Sequence, residues 1–157
     1  LRLLSSKVEN IDDMEKPLVE QLEFEMDLRE NFRPDAILLN PIIYERMSKN
    51  PFKLEERNYH VDFGAPRSET YNINISIPTG YTISNKPKDS AMSLPESTAK
   101  YTFRSLYDNN ILMLQQTTML NKAIFTPEEY FHLKEFFSRI IQQQMTDFQF
   151  KKIWSEK

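Results

Sequence analysis

Between residues 22 and 28 the side chains alternate without exception: Leu22, Phe24, Met26 and Leu28 are apolar, and Glu23, Glu25 and Asp27 separate them. Successive side chains of an extended strand point to opposite faces, so a period of two commits this segment to a strand with one face in a core and the other in water. Tyr71, Ile73, Ile75 and Ile77 repeat the pattern around Asn72, Asn74 and Ser76, until Pro78 stops the ladder and Gly80 permits a turn. Tyr101 and Phe103 begin another strand. Asp108-Asn109-Asn110 then supplies residues that tolerate positive φ, and 111–120 returns as the second arm of a hairpin. Weaker strand patterns lie at 4–9, 36–39, 58–63, 81–84 and 91–94. About eight short strands with turn signals between them predict a mainly β chain, an antiparallel β-sandwich of immunoglobulin-like or related type.

One helix interrupts this pattern, predicted over 127–148. Thr126 is its N-cap, Pro127 occupies the first position, where a missing N–H costs nothing, and Glu129 completes a capping box. Phe125 and Tyr130 stand at the positions of a hydrophobic staple. Tyr130, Leu133, Phe137, Ile140, Ile141 and Met145 fall on one face at helical spacing. Burying six such side chains contributes on the order of 10 kcal/mol before entropy is subtracted, so the helix is expected to be integral to the fold. Between the strand at 36–39 and Gly64 the chain reads as irregular, with Asn40-Pro41 and Asn50-Pro51 bracketing a short helical turn at 42–47.

Composition removes several chemistries. The chain has 157 residues, the size of one domain, and 1–157 is read as a single β-rich accessory domain. Its 2 glycines, Gly64 and Gly80, are far apart, which excludes a phosphate-cradling glycine loop. Zero Cys removes disulfides, thiolate metal sites and a cysteine nucleophile, and 2 His cannot form a three-histidine metal site. No cofactor is therefore expected. A net charge of -3 gives no basis for a nucleic-acid partner. The basic residues Lys151, Lys152 and Lys157 read as a solvated helix end. No apolar run approaches the roughly 18 residues needed to span a bilayer. Residue 1 is Leu, already in a strand-like run, so the chain reads as excised from a longer polypeptide.

The carboxylate pairs Asp12-Asp13 and Glu55-Glu56 are chain neighbours that point apart. They read as a solvated turn and as part of an ion pair at the start of a strand, not as an acid–base dyad. His60 and His132 have no thiol or activated serine beside them and read as structural. Trp154, with Phe148, Phe150 and Ile153, is read as packing on the sheet; a stacking platform for a sugar or peptide is the other reading. Asn74-Ile75-Ser76 matches a glycosylation triplet but falls inside a strand.

Asn50-Pro51-Phe52 through Glu55-Glu56-Arg57, followed by Val61-Asp62-Phe63-Gly64, resembles the C-terminal domain of unknown function that follows a transglutaminase-like domain in certain Gram-negative bacterial proteins. The resemblance runs on through Glu69-Thr70-Tyr71, Ile77-Pro78-Thr79-Gly80-Tyr81, and Phe125-Thr126-Pro127-Glu128-Glu129-Tyr130 to Lys134-Glu135-Phe136-Phe137, covering residues 5 to 153. His60 stands where that family tends to have proline, and Thr79 where it tends to have glutamate. The resemblance implies a cysteine-dependent catalytic domain upstream, a secreted or periplasmic setting, and no catalytic residue in this chain.

Two functions are then open. The chain is a non-catalytic accessory domain that supports or docks on the upstream domain of its own polypeptide, or it is a module that binds a peptide or glycan through a sheet edge or aromatic strip. The segment 50–64 is the candidate site. Phe52, Glu55, Glu56, Arg57 and Asp62 combine an apolar anchor with both signs of charge. They read either as an internal clamp, with Arg57 paired to Asp62 or a nearby glutamate and Phe52 plugging the core, or as an interface to the neighbouring domain.

Overall fold

A computed structural model describes residues 2–25, 33, 35–43 and 46–153. The chain divides between residues 33 and 34 into two compact units. The first is a single antiparallel hairpin of β1 (Arg2–Glu9) and β2 (Val19–Glu25). Asn10, at φ 63°, turns the chain out of β1, and its side-chain amide donates to the Pro17 carbonyl at 2.9 Å across the connecting loop. Leu3 lies opposite Phe24, Ser6 opposite Leu22 and Val8 opposite Glu20, so Leu3, Val8, Leu22 and Phe24 share one face. The other face carries the Arg2–Glu25 ion pair at 2.7 Å and the Ser5–Glu23 hydrogen bond at 3.2 Å. The alternation read from 22 to 28 thus belongs to β2; Met26, Asp27 and Leu28 lie outside the described residues.

The second unit holds every buried side chain among the described residues. It contains β3 (Ala36–Leu39), β4 (Val61–Asp62), β5 (Arg67–Ser76), β6 (Tyr81–Asn85), β7 (Ser90–Ser93), β8 (Ala99–Asp108), β9 (Ile111–Leu120), β10 (Ile124–Phe125), α1 (Tyr130–Gln144) and β11 (Phe148–Lys152). One sheet has the order β5-β9-β8-β7 and a second the order β3-β11-β6, all antiparallel, and β4 pairs briefly with β10. The fold is therefore the mainly β, antiparallel architecture with one C-terminal helix that the sequence predicts. Asn109 and Asn110, at φ 48° and 63°, close the two-residue turn between β8 and β9. The inward row of β8 (Ala99, Tyr101, Phe103) and that of β9 (Leu112, Leu114, Leu120) form the core with Leu133, Phe137 and Ile140 of α1. Tyr107 of β8 bridges the two sheets: its ring lies 5.6 Å from that of Phe150, and its hydroxyl donates to the Tyr81 carbonyl at 3.2 Å. No helix among the described residues is long and apolar enough to cross a membrane.

Three local expectations are corrected. The helix ends at Gln144, not at Phe148, because its last carbonyls are taken from outside: Asn40 Nδ2 donates to Gln144 O at 2.8 Å and Thr146 Oγ1 to Gln142 O at 3.0 Å. Residues 148–152 then form β11, the central strand of the three-stranded sheet. Phe148 and Phe150 are buried in it, and Lys151 and Lys152 lie on a strand instead of a helix end. Second, the buried face of α1 includes Phe136 and Gln144, while Met145 is exposed beyond its end. Third, the strand expected over 58–63 shrinks to two residues, since Asp62 Oδ1 accepts the Gly64 N–H at 2.8 Å and Gly64, at φ 79°, bends the chain away. The helical turn expected at 42–47 includes Tyr44 and Glu45, and the aromatic cluster expected at the end includes Trp154. These three residues, with Lys157, lie outside the described residues.

Candidate functional site

The loop from residue 46 to 60 has little regular structure of its own, so its backbone polar groups need partners elsewhere. Asn50 supplies them at one end. Its Nδ2 donates to Lys134 O at 2.9 Å and Ser138 Oγ at 2.8 Å on α1, while its Oδ1 accepts the Phe52 N–H at 2.8 Å. Phe52 is buried, with its ring 5.2 Å from that of Phe137, 5.8 Å from that of Tyr130 and 6.3 Å from that of Phe63. Two residues on, the Leu54 carbonyl accepts from Tyr130 Oη at 3.1 Å and Lys134 Nζ at 2.9 Å. The loop is tied down by an amide, a ring and a carbonyl.

The charged members of the segment do something else. Glu55 and Glu56 are exposed, and Arg57 is half-buried. No ion pair joins Arg57 to Asp62, Glu55 or Glu56 among the described residues; Asp62 caps the Gly64 turn. Glu55, Glu56 and Arg57 line a shallow groove of about 280 Å³ with Pro127, Glu128 and Phe131. Around the helix start, the Thr126 side chain holds the Glu128 carboxyl below its ordinary range, and Lys122 does the same for Glu129, 2.7 Å away. His60 and His132 are both exposed, and no group of three or more His, Asp or Glu among the described residues is arranged to hold a metal ion.

A second feature went unread in the sequence. Gln116 of β9 stands in the inward row of Leu112, Leu114 and Leu120 and is 1% exposed. Tyr101 Oη donates to its Oε1 at 3.0 Å, and burial pushes that phenol's pKa up, so it stays protonated as a donor. Gln116 Nε2 has no hydrogen-bond partner among the described residues. It borders a cavity of about 70 Å³ that also touches Arg67, Glu69 and Tyr71 of β5, and Phe137 and Gln144 of α1. A glutamine at core parity between leucines was the signal that could have revealed it.

Residues 35–150 match the model of a family described as Domain of Unknown Function with solved-structure structure (DUF3858). The chain belongs to the DUF3858 family. The DUF3858 match falls wholly within the second unit and leaves out the β1–β2 hairpin. It includes Phe52, Glu55, Glu56, Arg57 and Asp62. No curated protein matches the chain. Among solved structures, the 2.00 Å crystal structure of a "putative protease" from Parabacteroides distasonis ATCC 8503 is similar, with a TM-score of 0.62 at 16% identity over 78% of this chain. That likeness shows a shared fold. The chain spans a quarter of that protein's length, as the aligned region covers 25% of it.

Proposed function

We propose that this DUF3858 chain is a non-catalytic accessory module of a transglutaminase-like protein, secreted or periplasmic, and that it docks on the upstream domain of the same polypeptide. The observation that carries this reading is the hairpin. Leu3, Val8, Leu22 and Phe24 form one apolar face and are 60%, 46%, 42% and 38% exposed. A two-stranded hairpin is marginally stable in water unless its apolar face is packed on something, so this face calls for a cover. The size relation to the Parabacteroides protein supports a module that occupies one part of a larger chain. The groove at Glu55, Glu56 and Arg57 supplies a second contact surface, with a guanidinium that has no carboxylate partner among the described residues.

The test uses the full-length polypeptide. Backbone hydrogen exchange of β1 and β2 should be strongly slowed there compared with the 1–157 chain. Leu22→Asp with Phe24→Asp should abolish that protection and open the junction to limited proteolysis, without altering exchange in β8 and β9. Equal exchange of the hairpin in the two contexts would refute docking through this face. The alternative, a module that binds peptide or glycan, draws on a different surface, the β5 edge.

A further inference from the structure

We propose that the open edge of β5 accepts an extended peptide of another protein as an added strand, and that an asparagine or glutamine side chain of this peptide enters the cavity beside β5 to pair with the Gln116 amide. The hairpin plays no part in this inference, which deepens the peptide-binding alternative.

The edge comes first. β5 is ten residues long, contains no proline or lysine, and terminates its sheet, with β9 on one side only. Ile77 N donates to Asn110 O at 2.8 Å just beyond the end of β5, and the pairing with β9 continues without a register shift. Antiparallel pairing alternates, so the odd-numbered residues of β5 bond to β9. Ser68, Thr70, Asn72, Asn74 and Ser76 therefore direct their backbone N–H and C=O groups outward. All five are exposed, and no backbone partner for them appears among the described residues. A long, regular edge without a bulge is a template for another strand, and the inward charges of β5, Arg67 and Glu69, lie at one end of it.

The cavity gives the partner its chemistry. Arg67, Glu69 and Tyr71 line it from the inward face of β5, so a strand added alongside would set its own inward side chains roughly 5 Å from them. At the cavity wall Gln116 offers a buried N–H that needs an acceptor, while Arg67 and Glu69 bring one charge of each sign. A carboxylate would meet Glu69 and an ammonium would meet Arg67. A neutral carboxamide satisfies both ends: its oxygen accepts from Gln116 and its NH2 donates to Glu69. The space is about 70 Å³, close to that of two waters and enough for the terminal group of such a side chain.

The test is NMR titration of the isotopically labelled 1–157 chain with short acetylated peptides of alternating threonine and valine, capped by lysines, with either asparagine or leucine at the centre. The asparagine peptide should bind about tenfold tighter than the leucine peptide, because the latter leaves the Gln116 donor unpaired. It should also slow exchange at the amides of Thr70, Asn72 and Asn74. Asn72→Pro removes an outward N–H, which an edge strand tolerates, together with the exposed hydrogen bond that Gln115 Nε2 donates to Asn72 Oδ1, and should abolish binding while the spectrum of β8 and of β9 away from Gln115 stays unchanged. Gln116→Leu should erase the preference for asparagine. Equal affinity for the two peptides on the unsubstituted chain, undiminished binding by Asn72→Pro, or self-association through β5 in sedimentation would each overturn the proposal.

Discussion

Asn50 and Arg57 belong to the same loop, and their chemistry inverts what their charges suggest. The neutral amide makes three hydrogen bonds, two of them to α1, while the half-buried guanidinium makes no ion pair with Asp62, Glu55 or Glu56 among the described residues. Asn50→Ala should therefore destabilise the chain by about 1–3 kcal/mol in denaturant titration, and Arg57→Ala should change it by less than about 0.5 kcal/mol. Glu129 sets a pH dependence at the same scale. Lys122 and the Thr126 N–H hold its folded-state pKa below the ordinary 4.5. Its contribution is thus complete above 4.5 and is lost as pH falls through the folded value. Melting temperatures of Glu129→Gln should fall less steeply than those of the unsubstituted chain as pH drops below about 4.5.

At the scale of elements, the boundary between α1 and β11 decides the architecture. The apolar positions from Tyr130 to Ile141 were legible as a helix, and the capping box at Thr126 and Glu129 marks the 3₁₀ turn over Pro127–Glu129 that leads into it, so that α1 itself starts at Tyr130 and not at Pro127. Its end was not legible, because the cap is Asn40, distant in sequence and brought close only by the fold. Without that cap, Phe148 reads as one more turn of helix. Phe148 and Phe150 in fact alternate with Gln149 and Lys151, the period of a strand, but over too few residues to outweigh the helical pattern before them. The substitutions that separate the two readings are Phe150→Ala, expected to cost about 3–5 kcal/mol, and Met145→Lys, expected to cost less than about 0.5 kcal/mol. Equilibrium unfolding monitored by tyrosine fluorescence and circular dichroism measures both.

Across the whole molecule, alternation made β5 legible, where Tyr71, Ile73 and Ile75 are half-buried between exposed Asn72, Asn74 and Ser76, and turn chemistry at Asp108-Asn109-Asn110 made β8 and β9 legible as a hairpin that buries one face. The same rule made β2 readable as a strand, and the apolar row of Leu22 and Phe24 that implies a buried face is exposed among the described residues. Candidate surfaces were less legible than strands. Charge drew attention to Glu55, Glu56 and Arg57, whereas the unsatisfied donor of Gln116 depends on β5, β9 and α1 meeting, which no local window contains. β11 carries a further consequence, for synthesis. It pairs with β3, more than a hundred residues earlier in the chain, and with β6, so the three-stranded sheet lacks its centre until residues 148–152 have left the ribosome. Closing so long a loop is slow, and during translation both outer strands wait as unpaired, aggregation-exposed edges. A ribosome stalled before Phe148 would therefore hold a nascent chain that a holdase chaperone binds, and emergence of residues 148–152 would end the need for one.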